Sequence, residues 1–246
     1  MRRETQNVLL VLLGGALLKI ALTGTYLRYV KPSLFPWLVL AGAAMVALAA
    51  IAIVRDVRGR RDAATGCGLG HEHGSRSPWM LLLPVLAIFL VAPPALGSDS
   101  IGRAGQQAAA PQRPSGASSL FPPLPPGPVP LLTASEFTTR AVWDGTGALE
   151  HRPVRLQGFV VHPPEHPERT RLARMRISCC AADAAPVLVE LAGPAAGGLA
   201  ATPADTWIEV TGTLRPGSAS AATGQVPTAE ITAVRGIPAP PNPYEY

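Results

Sequence analysis

Three apolar segments of about 20 residues each fall within the first 97 positions, and they constrain the fold more than any other feature of the chain. They cover residues 8–27, 35–54 and 78–97. A helix needs about 20 apolar residues to cross the hydrocarbon core of a bilayer, so the first two segments are predicted membrane spans. Pro84 interrupts the third segment, which therefore predicts either a kinked span or a short re-entrant segment.

Positively charged residues around these segments predict their orientation. Arg2 and Arg3 precede the first segment, and the loop after the second segment holds Arg55, Arg58, Arg60, Arg61 and Arg76. Because Lys and Arg accumulate in cytoplasmic loops, the N-terminus and the loop 55–77 are predicted to be cytoplasmic. If the third segment spans the membrane, everything after residue 97 lies on the extracytoplasmic side. If it is re-entrant, those residues lie in the cytoplasm.

The net charge of +5 does not predict a nucleic-acid partner. The arginines are scattered along the chain, and several flank apolar runs, where membrane orientation accounts for them. A nucleic-acid-binding domain instead concentrates its basic residues on one face. We therefore expect a lipid bilayer, and no nucleic acid, among the partners.

Residues 98–130 have the composition of a linker. They are rich in Ala, Gly, Ser, Gln and Pro, and they end in FPPLPPGPVP. Such a segment buries too little apolar surface to fold, and its proline-rich end favours a stiff, extended spacer. The predicted organisation is a transmembrane region over 1–97, a disordered linker over 98–130 and a folded domain over 131–246.

The C-terminal part of the chain has the pattern of a small β domain. Thr133 and Glu136 form a capping-box signature ahead of a short helix. Five apolar, β-branched runs follow, separated by turn signals: RPVRLQGFVVH, RLARMRISCC, APVLVELAG, TWIEVTGTLRP and TAEITAVRGI. Five short strands and a helix favour an OB-like β-barrel over an immunoglobulin-like sandwich, which needs about seven strands. The fold class is therefore membrane α plus all-β.

The predicted cytoplasmic loop contains a group of metal-ligand residue types. Cys67, His71 and His73 lie within seven positions on a glycine-rich backbone, with Glu72 as a further oxygen donor. A thiolate and two imidazoles suit Zn²⁺ first and Cu(I) or Ni²⁺ next. Three ligands leave a position open, as in a transient binding site. The alternative is a solvated loop that happens to contain histidines.

Cys179 and Cys180 are adjacent in a predicted strand and have three interpretations. Neighbouring side chains of a regular strand point to opposite faces, so one cysteine could simply be buried in the core. A disulfide between neighbours would be strained and easily reduced, as in a redox switch. Alternatively, a backbone turn at CCAAD would bring both thiolates to Asp183, with His162 as a fourth candidate ligand for a metal.

Lys19 lies inside the first predicted span, where a cation is costly and usually faces protein or water. None of the three apolar segments contains an acidic residue, so we expect Lys19 to contact a second protein. No nucleophile elbow, phosphate-binding loop, dinucleotide fingerprint or zinc-protease motif is present, so we expect no enzyme.

The chain resembles a bacterial family of permease subunits, which carry a few N-terminal spans, a variable linker and a C-terminal domain of unassigned function. The resemblance rests on TGTYLRYVKPSLFPWL, GFVVHPPE, RMRISCCAADAAPVLVEL, WIEVTGTL and IPAPPNPYEY. It implies a multi-pass protein of the bacterial cell membrane, a multi-span permease as partner, and a link to the handling of metals, zinc especially.

The leading hypothesis is an accessory subunit of a permease complex whose extracytoplasmic β domain binds or hands over a metal ion. In this hypothesis Cys179, Cys180 and Asp183 mark an outer site, and Cys67, His71 and His73 mark an inner one. A membrane-anchored interaction domain with core cysteines is the first alternative. A thiol redox module is the second, although the chain has no Cys-x-x-Cys motif.

Overall fold

The computed structural model describes residues 3–63, 94–103 and 121–246. These residues belong to two compact units, which divide between Pro94 and Ala95. The predicted ligands Cys67, His71 and His73 lie outside the described residues, as does most of the third apolar segment, 78–97.

The N-terminal unit is a pair of antiparallel helices, α1 (Arg3–Leu22) and α2 (Phe35–Ala63), joined through two short 3-10 turns at Thr25–Arg28 and Pro32–Leu34. Helix α1 ends earlier than the predicted boundary at residue 27. Thr23 donates its hydroxyl to the Lys19 carbonyl at 2.8 Å, and Gly24 then adopts a left-handed conformation with φ +74°. This conformation, which glycine adopts readily, terminates the helix.

Helices α1 and α2 pack through small residues at seven-residue spacing. The buried positions are Asn7, Gly14 and Ala21 in α1, and Gly42 and Ala49 in α2. A Cβ atom at Gly14 would lie 2.9 Å from the Gly42 carbonyl oxygen, so the two backbones approach most closely where these glycines meet. A spacing of seven is that of helices that wrap around each other, and small residues permit close approach within membranes.

Within the described residues, one helical segment, Pro32–Arg58, is long and apolar enough to cross a membrane by length and composition. It contains the second predicted span, and α2 continues past the predicted end at residue 54. The apolar part of α1, Gln6–Leu22, is shorter. Many large apolar side chains of both helices are exposed, among them Val11, Leu40 and Ile51.

The C-terminal unit is a closed β-barrel, as the sequence predicts. Its strands are β1 (Leu131–Leu132), β2 (Val154–Val161), β3 (Thr170–Arg176), β4 (Ala185–Ala192), β5 (Trp207–Leu214), β6 (Thr228–Gly236) and β7 (Tyr244–Glu245). The five long strands follow the order β2-β5-β6-β4-β3, and a pairing of β2 with β3 closes the ring. All neighbours in this ring are antiparallel except β4 and β6, which are parallel. The result is a five-stranded OB-like barrel.

Two apolar clusters stabilise this unit. The first fills the barrel and includes Leu156, Leu172, Val189 and Ile231, and Phe137 of helix α4 (Ala134–Trp143) packs into it. The second covers the outer face of β2, β3 and β4. Its strand members are Phe159, Val161, Ala173, Met175 and Leu188, and Ile177, directly after β3, also belongs to it. Side chains that alternate along these strands therefore serve two different clusters.

Segments at the two ends of this unit cover the outer cluster. Ile101, in the short helix α3 (Ser98–Arg103), is fully buried there, and so is Tyr244 of β7. The Tyr244 hydroxyl accepts the backbone N–H of Leu96 at 3.0 Å. The compact unit therefore begins at Ala95 rather than at residue 131.

The predicted linker over 98–130 is consequently ordered at both of its ends. Besides Ile101, Leu124 is buried in the barrel cluster, and the Pro122 carbonyl accepts a hydrogen bond from Arg140 at 2.7 Å. Composition alone suggested disorder because the segment has few large apolar residues. Those few apolar residues, Ile101 and Leu124, pack against barrel residues that are distant in the sequence.

Candidate metal-binding site

A sharp turn follows strand β3 and carries the two adjacent cysteines. The last ladder contact is the Ile177 N–H, which donates to the Glu245 carbonyl at 3.0 Å. Cys180 is extended (φ −152°, ψ 171°), and a single 3-10 turn, Ala181–Asp183, then folds the chain back. The turn closes with the Asp183 N–H donating to the Cys180 carbonyl at 3.0 Å.

The Asp183 carboxylate holds this turn from the inside. Its Oδ1 accepts the Ser178 N–H at 2.8 Å. Its Oδ2 accepts the Cys179 N–H at 2.8 Å and the Cys180 N–H at 3.4 Å. Three successive backbone N–H groups therefore converge on one carboxylate, a geometry that recurs in anion-binding turns.

The turn brings the three predicted ligand residues together. The sulfur atoms of Cys179 and Cys180 and a carboxylate oxygen of Asp183 all lie within 4.8 Å of one another. In a regular strand the two sulfurs would point apart, so the turn at CCAAD, and not the strand, makes the group possible. Two sulfurs and one oxygen are suitable donors for a thiophilic metal ion, with a position left for a further ligand.

Hydrogen bonding sets the protonation states of the site. The thiol of Cys179 donates to Asp183, and this bond together with the backbone N–H groups lowers the pKa of the Asp183 carboxyl to about 2. The same bond to Asp183, followed by the contact with Cys180, raises the pKa of the Cys179 thiol to about 11. At neutral pH the carboxylate is thus charged and the Cys179 thiol protonated, so an incoming metal ion must displace a proton.

Neither cysteine is part of an apolar core. Cys179 is exposed and Cys180 is partly exposed, and both are free thiols. A solvated thiol with a raised pKa is a poor nucleophile, because the thiolate is the reactive species. The exposure does not fit the core interpretation, and the redox interpretation stays a prediction.

His162, the fourth predicted ligand, lies apart from this group. It directly follows β2, whereas Cys179 follows β3. Because β2 and β3 are antiparallel, these positions lie at opposite ends of the pair, separated by about the length of β3, ~23 Å for seven residues. The His162 ring instead contacts two carbonyl oxygens, Nε2 that of Thr202 at 2.8 Å and Nδ1 that of Arg169 at 3.2 Å. We therefore leave His162 out of the site.

Lys19, the predicted partner contact, lies in the last turn of α1 and is exposed. Its contact with a second protein stays a prediction. The predicted loop ligands Cys67, His71 and His73 lie outside the described residues, so metal binding by the loop also stays a prediction.

A surface pocket of about 350 Å³ lies elsewhere on the barrel, where the ends of β3, β4 and β6 meet. Both arginines that line it are paired with carboxylates, since Arg169 Nε lies 2.7 Å from Glu190 and Arg215 Nε donates to Glu230 at 2.6 Å. No cysteine, histidine or aromatic residue is among the described residues that line it. It therefore offers neither thiolate ligands nor a surface for stacking a nucleic-acid base.

Comparison with known protein families gives two matches. Residues 5–107 match the model of the DUF1980 N-terminal domain, and residues 140–246 match that of the DUF1980 C-terminal domain. Together the two matches span most of the chain, including both helices and the candidate metal-binding site. No curated protein and no solved structure matches the chain.

Proposed function

This chain belongs to the DUF1980 family, and we propose that it is a membrane-anchored accessory subunit of a permease complex whose β-barrel domain binds a thiophilic metal ion, Zn²⁺ in the first instance. The observation that carries the proposal is the convergence of Cys179, Cys180 and Asp183 in one exposed turn. Exposed thiols with an open ligand position suit an ion that is received and handed on rather than stored.

The helical part of the chain supports the anchoring role. Helix α2 is apolar over a span-length segment, and its large exposed side chains suit contact with lipid or with other helices. In this proposal α1 and α2 both span the bacterial cell membrane with the N-terminus inside, a third span follows, and the barrel lies outside. Lys19 faces a second membrane protein, the multi-span permease, because a cation within a membrane span usually faces protein or water.

The small number of spans favours an accessory role over a transporter. Transport pathways run between repeated bundles of helices, with the substrate site near the middle of the membrane. Three apolar segments that contain one cation and no carboxylate provide no such pathway. In this proposal the chain therefore supplies a metal-binding domain, and the partner forms the transport pathway. The chain itself is not an enzyme.

The test is a metal titration of the full chain, purified in detergent, reduced and metal-free. We expect one Zn²⁺ per barrel site with protection of two thiols from alkylation. The variant Cys179→Ser/Cys180→Ser should lose this binding. A matched variant, Cys67→Ser/His71→Ala/His73→Ala, separates the loop from the turn and should keep it.

Two outcomes of this titration would contradict the proposal. If the Cys179→Ser/Cys180→Ser variant binds as much metal as the parent chain, the turn is not the site. If no thiol-dependent binding occurs for Zn²⁺ or any other thiophilic ion, the metal-handling proposal fails.

A further inference from the structure

The hydrogen bonds of Asp183 are already committed to the turn. A carboxylate offers about four lone-pair positions, and three of them accept the N–H groups of Ser178, Cys179 and Cys180. To become a strong metal ligand, Asp183 would have to weaken bonds that hold both cysteines in place. Its observed contacts are those of a residue that shapes the turn.

A second turn in the same domain has this geometry without any metal ligand. Ser220 precedes the 3-10 turn Ala221–Thr223, just as Cys180 precedes Ala181–Asp183. The Thr223 hydroxyl accepts the Ser220 N–H at 3.0 Å, as Asp183 accepts that of Cys180, and both turns form a reciprocal capping box. The sequences are Ser-Ala-Ala-Thr and Cys-Ala-Ala-Asp. A side-chain oxygen at the fourth position therefore serves the backbone, whether or not a metal is bound nearby.

From these two observations we infer that the site is a two-sulfur site, in which Cys179 and Cys180 are the ligands, Asp183 is a positioning residue, and the preferred ion is Cu(I). The inference rests on the proposed metal site: Zn²⁺ still binds there through the two cysteines, but Cu(I) binds more tightly. Zn²⁺ takes four protein or water ligands in nearly all of its sites, and this turn supplies two strong ones. Soft thiolates select Cu(I), which two of them satisfy.

Binding of Cu(I) exchanges protons for the metal ion and requires no oxidant or reductant. Two S–H bonds break and two Cu–S bonds form, and both protons pass to solvent. Copper enters and remains as Cu(I), and no sulfur is oxidised. The exposed position of Cys179 allows a thiol of a second protein to join and then to replace one of the two ligands.

The test uses the full chain in detergent, in a Cys67→Ser/His71→Ala/His73→Ala background, without oxygen. Cu(I) is titrated against a colorimetric Cu(I) chelator, and Zn²⁺ against a zinc indicator. Asp183→Thr copies the Ser220–Thr223 turn and removes the carboxylate. Asp183→Ala removes both the carboxylate and the turn contacts. X-ray absorption on the Cu(I)-loaded chain of this background, with Asp183 unchanged, counts sulfur and oxygen neighbours directly.

We expect one Cu(I) with two sulfur neighbours and no oxygen neighbour from protein. Asp183→Thr should change Cu(I) affinity by less than about tenfold, whereas Asp183→Ala should lower it by about 10- to 100-fold, as loss of an outer-shell partner does. Cys179→Ser or Cys180→Ser should abolish binding.

Two results overturn the inference and leave the metal-binding proposal intact. One is an oxygen neighbour in the absorption spectrum together with equal losses in Asp183→Thr and Asp183→Ala. The other is tighter binding of Zn²⁺ than of Cu(I) through the same cysteines. Absence of binding for both ions overturns the inference and the proposed function together. The absorption measurement needs no substitution in the turn, so it decides the ligand set even if Asp183→Thr does not fold.

Discussion

The Glu245 carboxylate accepts the backbone N–H of Ala134 at 2.8 Å, across 111 positions of sequence. The same carboxylate accepts the N–H and the hydroxyl of Ser135, and it lies 3.5 Å from Arg174 Nε. It thereby caps the N-terminus of helix α4, where a negative charge is favourable, and pairs with a buried guanidinium. The C-terminal strand β7 therefore contributes to the stability of the barrel.

Replacing Glu245 should destabilise the barrel. Glu245→Ala removes the acceptor of the Ala134 and Ser135 N–H groups, while the Thr133 side chain still caps the helix. It also leaves Arg174 buried beside the Trp207 ring, 4.9 Å from the ring centroid, without this ion pair. We expect a loss of about 3 kcal/mol in the free energy of unfolding, from the lost hydrogen bonds at the helix N-terminus and the lost buried ion pair. Urea unfolding followed by tryptophan fluorescence measures it. Glu165→Ala, at an exposed glutamate, should change little, and equal effects of both variants would refute the assignment.

Gly14 should tolerate no side chain, whereas its neighbour Gly15 should. A Cβ at Gly14 meets the Gly42 carbonyl oxygen at 2.9 Å, while nothing lies within 4 Å of a Cβ at Gly15. We expect Gly14→Ala to destabilise the helix pair by about 2 kcal/mol through overpacking. Gly15→Ala should stabilise it by up to about 1 kcal/mol through helix propensity. Helix loss during a denaturing-detergent titration provides the measurement, and the opposite order would contradict the described contact.

Substitution of Gly97 should release the segment that covers the outer cluster. A Cβ at this position would lie 2.5 Å from Asp205 Oδ1, the atom that accepts the Ser98 N–H at 2.7 Å. Gly97→Ala should therefore break the cap of α3 and increase amide exchange over residues 94–103 by about tenfold or more, which corresponds to a loss of about 1.4 kcal/mol. Gly102→Ala, which meets nothing within 4 Å, is the matched control. Unchanged protection in Gly97→Ala would show that Asp205 does not hold the segment.

The barrel should lose stability in acid through Glu209. The hydrogen bond from Arg235 lowers the pKa of the Glu209 carboxyl, with a further contribution from Gln157. A carboxyl with a lowered folded pKa contributes stability that is present above its unfolded pKa of about 4.3, and that is lost as the pH falls through the folded pKa. Melting temperatures measured between pH 7 and pH 3 should therefore fall less steeply in Arg235→Gln than in the parent chain. Parallel curves would contradict this linkage.

Alkylation of Cys179 should be slow at neutral pH although the thiol is exposed. Because its pKa is raised to about 11, the reaction rate should climb about tenfold per pH unit up to at least pH 10 without a plateau. Asp183→Ala removes the main cause of the raised pKa and should speed the reaction at pH 7.5. Iodoacetamide kinetics on metal-free Cys67→Ser/Cys180→Ser chain measure the rate. A plateau near pH 8 would favour the redox interpretation of the pair.

Local sequence signals predicted much of the barrel. The five long strands coincide with alternating apolar runs, and the Thr133 hydroxyl accepts the Glu136 N–H at 3.0 Å, as the capping-box signature predicts. The convergence at Cys179, Cys180 and Asp183 was also predictable, because a short turn with small residues between ligands is encoded within five positions.

Long-range contacts account for what the sequence did not predict. Ile101 lies in a polar, glycine- and alanine-rich stretch, and it is buried only because it packs against the outer face of strands that are distant in the sequence. Arg174 of β3 lies against Glu245, and only the pairing of β3 with the distant strand β7 brings these two residues together. Periodicity gives the faces of a strand, and it does not say which other segment covers each face.

The closed ring of long strands determines how another protein can recognise this domain. Each of β2, β3, β4, β5 and β6 has a neighbour on both sides, but the ladders that join β4 to β6 and β2 to β3 each cover only three residue pairs. A partner peptide therefore finds backbone N–H and carbonyl groups to pair with only beyond the ends of these short ladders. Closure along the rest of the ring limits edge-to-edge aggregation, so recognition elsewhere on the barrel must use side chains and turns.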